Sequence, residues 1–282
     1  MTFQKEIDEI IKKALAEDIR EGDITTSATL PDDINAEGIF IAKQEGIAAG
    51  FDVVERVLTV YDPSLVFERL VADGEKVKAN TKVAIIKGKA ASILAVERTA
   101  LNFFQRMSGI ATLTHSFMEK IKHTKVKILD TRKTAPGLRV IDKLAVKLGG
   151  GENHRIGLFD MFLVKDNHIA AVGSITEAVR LCREYRERMG KSYKIEVETT
   201  SLKEVEEAIA SGVDIIMLDN FNIPQLKEAI KLIAGRVKTE ASGMISLDNV
   251  KEIAETGVDF ISIGALTHSV KALDISLKIK TK

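Results

Sequence analysis

The sequence predicts an α/β protein in two parts, an N-terminal α+β sandwich domain followed by an incomplete parallel α/β barrel of about six strands. Three observations carry this prediction. In the first part, short β-type runs are separated by tight-turn residues; after Lys125, apolar β-branched runs alternate regularly with amphipathic helices; and each of these later runs ends in polar, ionisable or small residues.

The first element is a helix. Phe3, Ile7, Ile10, Ile11 and Leu15 recur at helical spacing, and Glu21-Gly22-Asp23 breaks the period beyond about Asp18. Strand-like runs follow at Gly38 to Ala42, Leu65 to Val71 and Lys82 to Lys87, with turn signals at Asp62-Pro63 and Asp73-Gly74. A helix over Phe51 to Val60 lies between them, so this part is an α+β module on a small sheet. From Ser92 to about Met107 the helical period returns. Ile93, Val96, Ala100, Phe103, Phe104 and Met107 share one side, while Arg98, Asn102 and Gln105 gather on the other.

Six apolar runs follow: Val126 to Leu129, Met161 to Val164, Tyr193 to Val197, Asp214 to Leu218, Val237 to Thr239 and Phe260 to Ile263. Helices are expected at Leu138 to Leu148, Ser174 to Met189, Leu202 to Ser211, Pro224 to Ala234 and Ser246 to Thr256. This repetition specifies a parallel sheet, because parallel neighbours need a crossover connection. With six clear strands rather than eight, an incomplete barrel is expected. The domain boundaries read as 1–108 and 109–268, with a tail, 269–282, that can return to pack on the first domain.

Composition bounds the function. A chain of 282 residues with 45% hydrophobic content can bury a substantial core, and 29% charged residues balance to a formal net charge of zero. No overall field would draw such a protein to nucleic acid or an anionic membrane, so anion binding must be local. No apolar run approaches the roughly 20 residues of a membrane span, and Met1 to Ile10 lack a basic-then-apolar signal pattern. The single cysteine, Cys182, has no partner for an internal disulfide or a structural zinc site and sits in a helical stretch with Val179 and Leu181. A structural thiol in a reducing compartment, the cytoplasm, is the expectation.

The strand ends carry the chemistry. The runs are followed in turn by Asp130-Thr131-Arg132-Lys133, Lys165-Asp166-Asn167-His168, Glu198-Thr199-Thr200, Asp219-Asn220, Glu240-Ala241-Ser242-Gly243 and Gly264-Ala265. In an α/β barrel these ends converge on one mouth, where active sites are built. Charged residues also terminate strands in many proteins, so no single one is diagnostic; six in succession point to a site. Arg132, Lys133, Arg155 and Lys165, with His154 beside them, form a cationic group that calls for a multiply charged anion. Arginine suits carboxylate and phosphate through its planar fork, and lysine serves as a mobile point charge. Glu198, Asp219 and Glu240 match what a hydrated magnesium ion and a positively charged sugar intermediate require. Ser242-Gly243 and Gly264-Ala265 place small residues where backbone N–H groups can approach a phosphate.

Longer motifs then resemble those of one family. Glu97-Arg98-Thr99-Ala100-Leu101-Asn102, Ser108-Gly109-Ile110-Ala111-Thr112 and Asp130 through Arg139 (D-T-R-K-T-A-P-G-L-R) are similar to the signatures of quinolinate phosphoribosyltransferases. So are Gly149-Gly150-Gly151-Glu152-Asn153-His154-Arg155, Val164-Lys165-Asp166-Asn167-His168 and Gly264-Ala265-Leu266-Thr267-His268-Ser269, with Glu17-Asp18 and Gly22-Asp23-Ile24-Thr25-Thr26 near the start.

The resemblance implies transfer of the phosphoribosyl group of 5-phosphoribosyl 1-pyrophosphate to quinolinate, giving nicotinate mononucleotide, pyrophosphate and carbon dioxide. It also implies a homodimer whose sites borrow Arg98 from the neighbouring subunit. By residue-by-residue transfer, Arg98, Thr131, Arg132, Lys133, His154, Arg155 and Lys165 surround the dicarboxylate. Glu198 and Asp219 face the ribose and hold magnesium, and Ser242, Gly243, Met244, Ser262, Ile263 and Gly264 lie against the 5-phosphate. Lys133, Glu198 and Asp219 are the residues expected to act on the departing pyrophosphate and the ribose. One departure is visible: where the family usually has Ser-Gly-Gly, this chain has Ser242-Gly243-Met244.

Two other readings compete. A related protein of the same fold with a different acceptor, of the kind associated with molybdate transport, has no need of Arg98, Arg132 and Arg155 together. A biotinyl or lipoyl carrier module is suggested by Val71 to Val77 (V-A-D-G-E-K-V), but no lysine here has the exposed hairpin setting of a carrier lysine.

Overall fold

The computed structural model describes residues 3–31 and 33–281, the side chain of Phe3 excepted. In chain order the elements begin with α1 (Phe3–Ile19), α2 (Ile24–Thr29), β1 (Asn35–Ala42), β2 (Gly46–Ala48), α3 (Phe51–Tyr61) and β3 (Val66–Arg69). They continue with β4 (Glu75–Val77), β5 (Lys82–Lys89), α4 (Ala90–Ile121), β6 (Lys127–Leu129), α5 (Arg139–Leu148), β7 (Phe162–Val164), α6 (Asp166–Val172) and α7 (Ile175–Met189). The remainder is β8 (Ile195–Thr199), α8 (Leu202–Ala210), β9 (Ile215–Asp219), α9 (Ile223–Ile233), β10 (Lys238–Ser242), α10 (Val250–Ala254), β11 (Phe260–Ser262), α11 (Ala265–His268) and β12 (Ile275–Thr281). Two compact units result, one of Met1–His115, Thr134–Gly150 and Ala265–Lys282, the other of Ser116–Lys133 and Gly151–Gly264.

In the first unit an antiparallel sheet has the order β12-β1-β5-β3, and β2 pairs with β4. Burial alternates along β1, as a half-buried strand requires, and Phe40 on its inner face meets Phe67 and Phe104, each with ring centroids 6.1 Å away. Phe51, at the start of α3, packs on Phe104 at 4.8 Å, so sheet and helices share one aromatic core. Several elements exceed the sequence expectation. α2 is capped by Asp23, whose carboxylate accepts from the amides of Thr25 and Thr26 at 3.0 and 3.1 Å. β12, in the chain tail, pairs with β1.

α4 runs well past its expected end at Met107. Ser108 and Gly109 argue against helix locally, yet each answers a tertiary demand. The Ser108 hydroxyl accepts from the Ala49 amide at 3.0 Å, and the Thr112 hydroxyl accepts from the Ile47 amide at 2.8 Å. At Gly109 a Cβ would fall 2.2 Å from the Lys271 carbonyl oxygen, so only glycine lets the backbones meet. Tertiary contact here overrides propensity.

The second unit holds a parallel sheet in the order β6-β11-β10-β9-β8-β7. Its first strand, β6, pairs with its last, β11, so the sheet wraps round as a barrel does and is open only between the consecutive strands β6 and β7. Residues after Gly151 run along the free edge of β6. The Glu152 amide donates to the Ile128 carbonyl at 2.8 Å, and the Asp130 amide donates to the Glu152 carbonyl at 3.2 Å. Local capping starts the helices: the Ser174, Ser201 and Asn222 side chains accept from the amides of Glu177, Glu204 and Gln225. Among the described residues no helix is long and apolar enough to cross a membrane.

Candidate active site

Strands β8, β9 and β10 end at Thr199, Asp219 and Ser242, each beyond the end its sequence pattern suggests. Glu198, Asp219 and Ser242 are therefore part of the ladder, Glu198 level with Met217 and Asp219 level with Ser242. Being locked in a sheet fixes these side chains far better than a loop would. Glu198 is largely buried, its side chain 14% exposed, and Lys165 at the start of α6 brings Nζ to 2.5 Å from Glu198 Oε2. Asp219 is half-buried and accepts through Oδ2 from Asn220 Nδ2 at 2.7 Å.

At the end of β6, Thr131 accepts the Lys133 amide on its hydroxyl at 3.0 Å, a tight polar turn that leaves Lys133 exposed and Arg132 half-buried. Arg155 lies near Arg132. Burial, and then the charge of Arg132, pull the Arg155 guanidinium below its ordinary value, while Nη1 donates to the Met161 carbonyl at 3.2 Å. Two guanidiniums held close in a half-buried place suit an anion with more than one negative oxygen.

Positive φ angles shape the neighbouring loops after β9, at Asn220 (58°), and after β10, at Gly243 (97°) and Met244 (42°). The Asn220 amide donates to the Ser242 carbonyl at 2.9 Å, and a Cβ on Gly243 would sit 2.1 Å from Asn220 Oδ1, so this glycine is required by space as well as by φ. Met244 is 90% exposed and projects into solvent; Asn249 Nδ2 donates to its carbonyl at 3.0 Å. Ser262 and Ile263 are buried at the end of β11, where the Ile263 amide donates to the Leu129 carbonyl at 2.9 Å, and Gly264 follows them half-buried.

The carboxyl end of this one sheet thus collects Thr131, Arg132, Lys133, Arg155, Lys165, Glu198, Asp219, Ser242 to Met244 and Ser262 to Gly264. Arg98 lies exposed on α4 in the other unit. On the same helix Gln105 donates through Nε2 to the Ile275 carbonyl at 2.7 Å, so it anchors β12 rather than joining a free polar face.

Glu240 departs from its expected place beside Glu198 and Asp219. It is fully buried, two residues before Ser242 on the same strand face, and joins His154 and Glu196 in the barrel interior. His154 Nε2 lies 2.9 Å from Glu196 Oε2 and 3.4 Å from Glu240 Oε2. These approaches lack the direction of well-formed hydrogen bonds, and the carboxylate oxygens have no other hydrogen-bond partner. Burial, then the charge of Glu240, raises Glu196 to about 7. Burial disfavours a charged His154 and the two carboxylates push the ring's pKa up, but a second proton cannot sit on Nδ1 while it accepts the Arg155 amide, so in this geometry the ring is neutral with its proton on Nε2. Asp130 is a further buried carboxylate here, accepting from Asn153 Nδ2 at 2.6 Å and from the His154 amide at 2.9 Å. Glu196 went unread in the sequence, although Ile195-Glu196-Val197-Glu198 puts it on the same strand face as Glu198.

For a divalent cation, Glu198 and Asp219 provide half-buried oxygen donors on adjacent strands, a set that suits a hard ion such as magnesium. Barrel geometry, a crowded cationic mouth and this acidic pair define an enzyme for polyanionic substrates.

Comparison with known proteins narrows the class. Residues 23–108 match the quinolinate phosphoribosyl transferase N-terminal domain and residues 110–278 match the C-terminal domain of the same family. Quinolinate phosphoribosyltransferase [decarboxylating] 1b of Nicotiana tabacum is 48% identical, over 97% of this chain and 82% of its own length. A probable nicotinate-nucleotide pyrophosphorylase [carboxylating] of Bacillus subtilis is 41% identical, over 97% of this chain and 93% of its own. The crystal structure of NadC from Streptococcus pyogenes superposes with a TM-score of 0.94 at 41% identity, covering 100% of this chain and 99% of that one. The chain belongs to the quinolinate phosphoribosyltransferase family.

Proposed function

We propose that this chain joins the ring nitrogen of quinolinate to the anomeric carbon of 5-phosphoribosyl 1-pyrophosphate. Pyrophosphate and carbon dioxide leave, and nicotinate mononucleotide is formed for de novo NAD biosynthesis. The observation that carries this reading is the pair Arg132 and Arg155, both half-buried at the carboxyl end of the one sheet, in a chain that also keeps Arg98. A same-fold protein with a simpler acceptor has no use for three arginines.

In this reading Arg132 and Arg155, with Arg98 from the second subunit of a homodimer, fix the two carboxylates so that the nitrogen faces the sugar. That is positioning rather than acid or base chemistry. Lys165 balances Glu198 and lends positive charge to the dicarboxylate, and His154 stands behind Arg155. Lys133, exposed after the Thr131 turn, meets the pyrophosphate as it leaves. Glu198 and Asp219 would hold magnesium, and their charge favours the positive ribose ring of an oxocarbenium-like transition state. Magnesium, when bound, screens the diphosphate and improves it as a leaving group. Backbone amides of Ser242 to Met244 and Ser262 to Gly264 take the 5-phosphate, and the Met244 side chain, aimed at solvent, leaves them accessible. Once ribosylated, the cationic ring nitrogen stabilises the carbanion left on the adjacent carbon as carbon dioxide departs, and a proton from water completes the C–H bond there. The cytoplasm is the proposed location; the one thiol, Cys182, is half-buried and burial raises its pKa, as suits an inert thiol.

Purified protein given quinolinate, phosphoribosyl pyrophosphate and magnesium is expected to release pyrophosphate and form nicotinate mononucleotide, measured by chromatography and mass. No product at any metal concentration or pH tried would remove the assignment. Mixing Arg98→Ala with Glu198→Ala protein is expected to restore activity through hybrid dimers; confirmed hybrids without recovery would exclude Arg98 acting in trans.

A further inference from the structure

The interior of a parallel barrel is ordinarily filled by branched apolar side chains, and burying a carboxylate there costs several kcal/mol unless it is paired. This barrel buries two, Glu196 on β8 and Glu240 on β10, both fully inaccessible, with the His154 ring as the group set between them. So expensive an arrangement in alternate strands asks what the ring is being held for.

The other side of the ring answers. His154 Nδ1 accepts the backbone amide of Arg155 at 2.8 Å. An amide can only donate, so Nδ1 is bare and the ring carries its proton on Nε2, on the side where the Glu196 and Glu240 carboxyls approach. That tautomer also decides against the three groups as metal ligands, although their donor atoms lie within 4.8 Å of one another: a protonated Nε2 has no lone pair to offer. The segment concerned lies along the open edge of the barrel, bonded to β6 through Glu152 and to Asp130 through Asn153 and the His154 amide. With the bonds to Asp130, the contact of the Arg155 amide with the ring ties the end of that segment to the interior.

We infer that Glu196 and Glu240 are positioning residues of the dicarboxylate site, acting through the His154 ring to hold Arg155 against the repulsion of Arg132. The inference rests on the reading that Arg155 grips quinolinate. The carboxyls never touch substrate; they set the angle of the ring, the ring fixes the Arg155 amide, and the guanidinium follows.

A double-mutant cycle tests it. Glu240→Gln and Glu196→Gln keep shape and remove charge, so they are expected to fold with an unchanged or raised melting temperature, since carboxylate repulsion is relieved. Each is expected to raise KM for quinolinate about tenfold while KM for phosphoribosyl pyrophosphate stays within about twofold. In the Arg155→Ala background the same Glu240→Gln change is expected to add nothing, because the group it positions is gone. Full additivity, or equal loss for both substrates, would mean a merely structural cluster and overturn the inference. If Arg155→Ala leaves KM for quinolinate unchanged, the reading of Arg155 as the grip fails instead, which separates the two failures. Should either Gln variant not fold, His154→Gln, which keeps a polar group toward the carboxyls but loses the Nδ1 acceptor, takes its place in the same cycle with the same expected outcomes.

Discussion

The two ends of the six-stranded sheet use the same residue types to opposite effect. At the amino end, Asp214 accepts the Ile195 amide at 2.7 Å, and Asp259 accepts the Thr239 amide at 3.0 Å and the Lys238 ammonium at 2.5 Å. Each aspartate stands just before its own strand and closes onto a residue near the start of the neighbouring one, in the repeated sequence Gly-Val-Asp at 212–214 and 257–259. Charges there are matched at once by local partners. At the carboxyl end Arg132 and Arg155 crowd one another, and the pairing of Lys165 with Glu198 joins two residues that both belong to the proposed site. Charge closed onto the neighbouring strand holds the sheet together, whereas like charges crowded at the mouth suit an anionic ligand.

The sharpest way to break this contrast is to remove charge at the carboxyl end. Lys133→Ala and Glu198→Gln are each expected to lower kcat by about two to three orders of magnitude, as loss of a group aimed at developing charge does. Thermal unfolding should move little, because Lys133 is exposed and Gln retains the shape of Glu198. A large drop in melting temperature with modest loss of turnover would place these residues with the structural charges instead.

The amino end predicts the reverse. Asp259→Ala removes an acceptor from the Thr239 amide and hydroxyl, and is expected to cost about 1–2 kcal/mol of stability in denaturant titration. Here kcat and both KM values should stay as they were. Loss of turnover in a fully folded Asp259→Ala protein would erase the distinction between the two ends.

Acid unfolding sharpens the point. Burial works to raise the Asp259 pKa, but Lys238 and the Thr239 donors outweigh it and leave it below the ordinary 3.8. A carboxylate with a depressed folded pKa contributes stability that is complete above its unfolded value and is lost as pH falls through the folded one. Wild type should therefore lose this contribution only below about pH 3.8, and Asp259→Asn should show a shallower slope of stability against pH in that range. Identical slopes would mean that Asp259 is not paired in solution.

These contrasts also mark what can be read from the chain alone. The alternation after Lys125 and the polar strand tips were legible because barrel strands are short apolar runs that end where solvent and ligand begin. Glu196 was not, since a charge inside an apolar strand carries no periodic signal and its partners, His154 and Glu240, lie 42 and 44 positions away in the sequence. β2 and β4 escaped because three residues are too few to show alternation. The second half of α4 escaped because Ser108 and Gly109 look like a break until Ala49 and Lys271 are seen to need them.

The smallest expected effect concerns Met244, where the loop asks for a residue this chain does not have. Its φ of 42° lies in the left-handed region, in which a side chain crowds the backbone, and the side chain recovers no packing because it is 90% exposed. Glycine at this position would relieve that strain but lose more entropy on folding, so Met244→Gly is expected to stabilise by at most about 0.5–1 kcal/mol. With the side chain already aimed at solvent, KM for phosphoribosyl pyrophosphate should change by less than about twofold, under about 0.4 kcal/mol. A severalfold fall in that KM, measured at fixed quinolinate, would show that the methionine obstructs the phosphate loop and that exposure in the free protein understates its reach.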